Sequence, residues 1–471
     1  MQRTAVIYGL AVSTLAGAFF LAPRLKPQQP PDPIPVPTPS AAEPVTDLVY
    51  SDGVIEAHAR LDRGYLLAQG NEPVWIDVSV KANGVQTRGM LTSVLVIDRS
   101  GSMAGDKIDA ARQAAERFVR GLHDGDAVAI VTFGTDVTTE LPMPVMDSAS
   151  RTRALAVVRN IEEGGGTNID GAMTQARAML AQADTLGRVG RVVLISDGRP
   201  TEGDRRESSL VAHATKLREK GFVTSTLGLG LDYNEDLMEH IAVEGGGRYH
   251  YLKNGDQLAQ ILDDELQQAS AVVASNVKLY MPRDLGALAF ADAPGSKVSV
   301  GQKIAVDVGD LAAGEERHVL IKMNVTAAGA ADIAFMAPEI VYKKVADRSD
   351  ALLAHRADPF RMLATSDVNV LEMSRKDDVR VRVLQVEASL ALTESMQHYA
   401  QGDTSGARRQ LESKKAELHL FAARSKSSAL AAEAKNMDEL LDAVNAAPAA
   451  SSDKAQDVIK TQKARAFELR R

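Results

Sequence analysis

Asp98, Ser100 and Ser102 alternate along Asp-Arg-Ser-Gly-Ser, the stretch that closes an apolar run from Ser93 to Ile97. Two more oxygen-bearing pieces follow, Gly166-Thr167-Asn168 and Ser196-Asp197-Gly198. From these three pieces, two carboxylates, Asp98 and Asp197, and three hydroxyls, Ser100, Ser102 and Thr167, make up the candidate set. An all-oxygen set of this kind suits a hard divalent cation, Mg2+ or Mn2+, which keeps an octahedral shell and retains water. Two carboxylates shared with neutral hydroxyls leave such an ion open to one further anionic donor. An Asp or Glu carboxylate of a partner protein fits that position. Each piece alone is ordinary: Ser-Gly-Ser after a strand makes a turn and a helix cap, and Ser-Asp-Gly makes a turn. Their order and placement give them meaning, because ligands of an open α/β sheet collect beyond the carboxyl ends of its strands.

The elements that must position them can be read from hydrophobic patterning. Leu91 to Ile97 is almost continuously apolar, as expected for a strand covered on both faces of a parallel sheet. Strands at 127–133, 191–196, 222–228 and 248–252 alternate with helical segments at 107–122, 148–162, 169–183, 205–220, 235–243 and 256–270. This alternation implies a doubly wound α/β domain over residues 91–270. Asp98 and Asp197 then stand at strand ends, and Thr167 follows Gly164-Gly165-Gly166 just before a helix. All three open on one edge.

Before this unit, Val74, Ile76, Val78 and Val80 alternate with Trp75, Asp77, Ser79 and Lys81, the period of a half-buried strand. After it, short strands separated by Gly, Pro and Asp turns run to residue 347. Strands 47–90 and 271–347 are expected to form one β-sandwich, with the α/β domain inserted into it or docked on it. Residues 348–376 read as a linker, 377–448 as a helical hairpin or bundle, and 449–471 as a frayed polar tail. At the other end, residues 5–22 carry no charge and are flanked by Arg3, Arg24 and Lys26. Residues 1–26 are read as a membrane anchor or, through Ala16-Gly17-Ala18, as a cleaved signal peptide. Residues 27–46 form a Pro-rich spacer. Either reading of the N-terminus exports the body of the protein, to the periplasmic or extracellular side of a cell envelope.

Composition removes several functional classes. The chain has 471 residues, 45% hydrophobic and 25% charged, with a net charge of −8, and it shows no basic stretch interleaved with aromatic platforms. Nucleic acid is therefore not expected as a partner. Cysteine is absent, which removes disulfides, thiolate nucleophiles and zinc–thiolate sites. The nine histidines are scattered without an HExxH arrangement. No Glu or His stands beside the oxygen cluster in sequence to serve as a general base, so an enzyme is not expected.

Val94-Leu-Val-Ile-Asp98-Arg-Ser-Gly-Ser-Met103, Asp126-Ala-Val-Ala-Ile-Val-Thr-Phe133, Gly165-Gly-Thr-Asn168 and Val193-Leu-Ile-Ser-Asp-Gly198 resemble a von Willebrand factor type A domain. The resemblance covers about residues 92–269 and extends to the family's metal-ion-dependent adhesion site. It implies that Asp98, Ser100 and Ser102 are the first ligands, that Thr167 reaches the ion when a partner is bound, and that Asp197 acts directly or through water. It also implies a protein-binding role without catalysis. Ser196 stands where the family often has Thr, and the flanking disulfide of some extracellular members is absent. The arrangement with flanking strands is similar to that of inter-α-trypsin inhibitor heavy chains and of bacterial envelope proteins of this class. Two roles follow as expectations: an exported, membrane-tethered adhesion or scaffold protein, or an assembly factor working with a separate AAA+ ATPase, since the chain has no GxxxxGK[ST] of its own.

Overall fold

The computed structural model describes residues 43–68, 70–84, 88–182, 188–325, 332–347, 349–445 and 449–470. Four strands come first: β1 (Asp47–Ser51), β2 (Ile55–Leu61), β3 (Tyr65–Leu67) and β4 (Val74–Ala82). The α/β unit begins with β5 (Met90–Asp98), α1 (Asp106–Gly121), β6 (Ala127–Phe133), β7 (Val137–Leu141), α2 (Ser148–Arg159) and α3 (Ile169–Gln182). It continues through β8 (Arg188–Ser196), α4 (Glu207–Glu219), β9 (Val223–Leu229), α5 (Glu235–Glu244), β10 (Gly246–Leu252) and α6 (Leu258–Ser270). Strands then return as β11 (Val272–Pro282), β12 (Leu288–Asp292), β13 (Val298–Val300), β14 (Lys303–Ala312) and β15 (Glu316–Val325). After them come β16 (Asp332–Phe335), β17 (Glu339–Lys344), β18 (Asp350–Leu353) and β19 (Phe360–Thr365). Helices α7 (Val368–Ser374), α8 (Asp377–Ala400), α9 (Thr404–Ser425), α10 (Ser428–Asn445) and α11 (Asp453–Arg470) follow.

The central sheet has the order β10-β9-β8-β5-β6-β7, parallel except for the edge strand β7. Strand β5 sits inside it, and its side chains divide between two cores. Leu91, Leu95 and Ile97 pack with Phe118 of α1 and Leu262 of α6 on one face. Val94 and Val96 pack with Ala172 and Met173 of α3 on the other. Burial on both sides explains the unbroken apolar run, each large aliphatic side chain contributing about 1.5–3 kcal/mol.

The flanking strands form two five-stranded sheets, β1-β2-β4-β15-β12 and β13-β14-β11-β17-β18, and a small third sheet, β16-β19-β3. Upstream and downstream segments join directly, since β4 pairs antiparallel with β15 in a register that sets Val78 opposite Val319. The α/β unit is thus an excursion between strands of one sandwich. Even-numbered Ile76, Val78 and Val80 fill the sandwich core with Leu279, Val306 and Ile340. Odd-numbered Trp75 points the other way and packs with Leu320 against Val379, Val383 and Val386 of α8. Buried ion pairs clamp the sandwich to the α/β unit: Arg191 Nη1 donates to Asp310 Oδ2 at 2.8 Å, and Arg218 Nη2 donates to Asp307 Oδ1 at 2.7 Å.

Two expectations are corrected. Residues 348–376 are not a linker, because β18 pairs with β17, and β19 pairs with both β16 and β3. The polar tail at 449–471 is largely helix α11. Its Lys460 and Lys463 are buried, and Phe467 enters the α/β core with an edge-on contact to Tyr249. Among the described residues no helix is long and apolar enough to cross a membrane. The expected anchor at 1–26 lies outside the described residues.

Candidate functional site

Strand β5 ends at Asp98, which is fully buried, as is Asp197 just past the end of β8. These strands are neighbours in the sheet, so two carboxylates separated by most of a hundred residues in sequence meet at one edge. The loop after β5 turns back on itself: the Ser100 amide donates to Asp98 Oδ1 at 2.8 Å. The Ser196 hydroxyl donates to Asp98 Oδ2, tying the end of β8 to that of β5. Ser102 Oγ donates to Asp197 Oδ1 at 2.8 Å and lies 3.1 Å from Ser100 Oγ.

Thr167 comes from the glycine-rich loop ahead of α3. Backbone bonds seat that loop: the Gly101 amide donates to the Gly165 carbonyl at 3.0 Å, and the Gly164 amide to the Arg99 carbonyl at 2.6 Å. The approach is so close that a Cβ at Gly134 would lie 2.4 Å from the Gly164 carbonyl oxygen, while Gly165 takes φ +88°. The Thr167 amide donates to Thr201 Oγ1 at 2.8 Å. Its hydroxyl faces the others over Gly198, where a Cβ would stand 3.2 Å from Thr167 Oγ1 and 3.6 Å from Ser102 Oγ. All five oxygen-bearing residues singled out in the sequence are therefore brought to one edge.

Burial pushes the Asp98 carboxyl up to about 6, and the neighbouring Asp197 charge adds to the rise, against hydrogen bonds from Ser100 and Ser196. Two carboxylates out of water beside three hydroxyls form an anionic oxygen cluster whose electrostatic demand is for a cation. The donor set fits a hard divalent ion of the Mg2+ or Mn2+ kind. Among the described residues there is no cluster of three or more His, Cys, Asp or Glu side chains of the sort a zinc site needs.

Sequence reasoning missed Lys107. This residue, in the first turn of α1, donates from Nζ to Asp197 Oδ2 and, at 3.3 Å, to the Ser102 carbonyl. It lies against Gly230, where a Cβ would be 3.5 Å from its Nζ. The fully buried Asp197 thus already has one cationic neighbour. The one local signal was weak: a lysine close after Ser102 at a helix start, where the helix dipole mildly disfavours a cation.

Residues 94–264 match the family profile of the von Willebrand factor type A domain. Among similar proteins, YfbK of Escherichia coli is 27% identical over 205 residues, covering 43% of this chain and 35% of that protein. The inter-alpha-trypsin inhibitor heavy chain H4 of Bos taurus is 26% identical over 276 residues, covering 55% of this chain and 30% of its own length. The chain thus spans about a third of the length of these relatives. Two solved structures share the fold. A von Willebrand factor type A protein from Catenulispora acidiphila gives a TM-score of 0.66 at 19% identity, covering 82% of this chain and 88% of that one. The ArnB paralog VWA2 from Sulfolobus acidocaldarius gives 0.59 at 18% identity, covering 87% and 98%. The α/β unit is a von Willebrand factor type A domain, a class of domain that typically serves protein interaction and adhesion.

Proposed function

We propose that this chain, built around its von Willebrand factor type A domain, captures an acidic side chain of a partner protein through a divalent cation, Mg2+ or Mn2+. Asp98, Ser100, Ser102, Thr167 and Asp197 would hold the ion as a metal-ion-dependent adhesion site. The bound ion would supply a positive centre with a vacant position for an Asp or Glu carboxylate. The reading rests on one observation: two buried carboxylates and three hydroxyls share the carboxyl edge of the sheet. The chain's own part is to keep that cluster rigid through the Ser196 and Ser100 bonds to Asp98 and the backbone ties of the glycine loop. No turnover is part of the proposal. We place the protein in the cell envelope, on the periplasmic or extracellular side, tethered by residues 1–26 with residues 27–46 as spacer.

The test is crosslinking in intact cells with the wild type and with Asp98→Ala, identification of the proteins lost, and rebinding of each purified candidate with and without Mg2+. The expected result is a partner captured by the wild type in Mg2+, released by a chelator and absent with the folded variant. A folded Asp98→Ala protein that captures the same partners equally well sinks the proposal.

A further inference from the structure

A cavity of about 420 Å3 lies away from the oxygen cluster, between the Trp75 side of the sandwich and helices α7, α8 and α9. That volume falls within the range of about 300–1,000 Å3 that encloses small organic ligands. Trp75 of β4 and Phe421 of α9 give it aromatic surface, and Trp75 is the single tryptophan of the chain.

The charged groups around it are unevenly matched. Arg375 holds Glu72 and Glu372, and Lys414 holds Glu387. Asp62 accepts the Trp75 amide at 3.2 Å and has Arg63 at 3.7 Å. Asp377, also at the cavity, sits exposed in the first turn of α8, where the helix dipole favours it. On the cationic side, Arg380 is taken by Glu417. Lys322 and Arg424 have no carboxylate partner among the described residues: the Lys322 ammonium overlooks the Trp75 ring at 5.5 Å from its centroid, and Arg424 sits in the last turn of α9, where the helix dipole favours a cation. Arg63 also lines this space but is held: its Nη1 donates to Glu72 Oε2 at 3.1 Å and its Nη2 to the Glu72 and Pro73 carbonyls. Lys322 and Arg424, without carboxylate partners and beside aromatic rings in a space of this size, describe a receptor for an anion with a flat apolar body.

We propose that this cavity binds a small aromatic carboxylate, its ring against Trp75 and Phe421 and its carboxylate between Lys322 and Arg424. The cavity shares no lining residue with the oxygen cluster at the sheet edge.

The full chain labelled with fluorotryptophan gives one fluorine resonance, that of residue 75, which reports on the cavity. Three probes of equal shape and different charge are titrated: naphthoate, naphthalenemethanol and naphthylmethylammonium. Naphthoate is expected to shift the resonance saturably, with the neutral and cationic probes at least about tenfold weaker, the value of one charge-assisted hydrogen bond. The double substitution Lys322→Gln with Arg424→Gln is expected to weaken naphthoate by about tenfold or more at an unchanged melting temperature. Arg424→Gln alone, at an exposed position, gives a smaller loss in the same direction. A resonance unmoved by naphthoate, equal responses to the three probes, or wild-type affinity in the folded double variant each overturns the proposal.

Discussion

Replacing Lys107 by Met should move two measurable quantities in opposite directions. In the structure the Lys107 ammonium bonds Asp197 Oδ2, an atom that the proposed cation also requires. Methionine keeps the unbranched stem that lies against Gly230 and removes only the charge. Two unit charges about 4 Å apart interact by roughly 4 kcal/mol at an effective dielectric of about 20. The Lys107 side chain is 30% exposed. Solvent screening and rotation away from the site therefore reduce that to about 1–2 kcal/mol, or about tenfold in affinity. Without a cation, however, the variant leaves a fully buried Asp197 short of a partner, at a cost of about 1–3 kcal/mol. For a domain of this size each kcal/mol lowers the melting temperature by about 2–4 °C. The assay is thermal melting of chelator-treated protein over a Mg2+ titration, with calorimetry for the dissociation constant. Lys107→Met should melt several degrees lower than the wild type in chelator and bind Mg2+ about tenfold more tightly, while Lys107→Arg stays close to the wild type. A variant that binds Mg2+ no more tightly, or that melts unchanged in chelator, refutes the reasoning that the ammonium and the ion compete for one carboxylate.

Asp310→Ala leaves the buried Arg191 and Arg218 guanidiniums short of their shared carboxylate, and denaturant titration should register a loss of about 3–5 kcal/mol. Burial alone would raise the Asp310 carboxyl, but Arg191 and Arg218 outweigh it and hold it at about 2. Since this folded value lies below the unfolded one of about 3.9, the pair's contribution of about 2–3 kcal/mol is present above pH 4. It should fade as pH falls toward 2, and acid unfolding of Asp310→Asn should lack that component. Gly134→Ala drives a methyl group into the Gly164 carbonyl; an expected loss of about 1–3 kcal/mol should come with a weakened Mg2+ response in melting, because the Thr167 loop is displaced. Phe467→Ala removes a buried ring of α11 from the α/β core, and about 3 kcal/mol of stability together with faster proteolysis after residue 449 should follow.

Much of the site was legible because its chemistry is local. Asp98, Ser100 and Ser102 lie on one turn, and the apolar run before them has the pattern of a strand covered on both faces, which β5 is. Alternation in β4 likewise told which of its residues face the sandwich core. Strand alternation was not enough for β18 and β19, whose partners β17, β16 and β3 lie elsewhere in the chain; without those partners the segment has no periodicity long enough to read.

Taken by itself, the sequence determined the elements with strong periodicity, the order of the three oxygen-bearing turns, and the absence of thiol chemistry. Only tertiary structure decided where charge is neutralised. Lys460 and Lys463 of α11 are spaced like a solvated stripe, yet they are buried because Glu235 and Asp236 of α5 meet them at 2.6–3.2 Å. Lys107 reads as a surface residue of α1 until β8 brings Asp197 to it. Hydrophobic periodicity states which face of an element leaves water. It does not state which charge on another element waits there, since a buried ion pair is settled by the geometry of two distant segments at once.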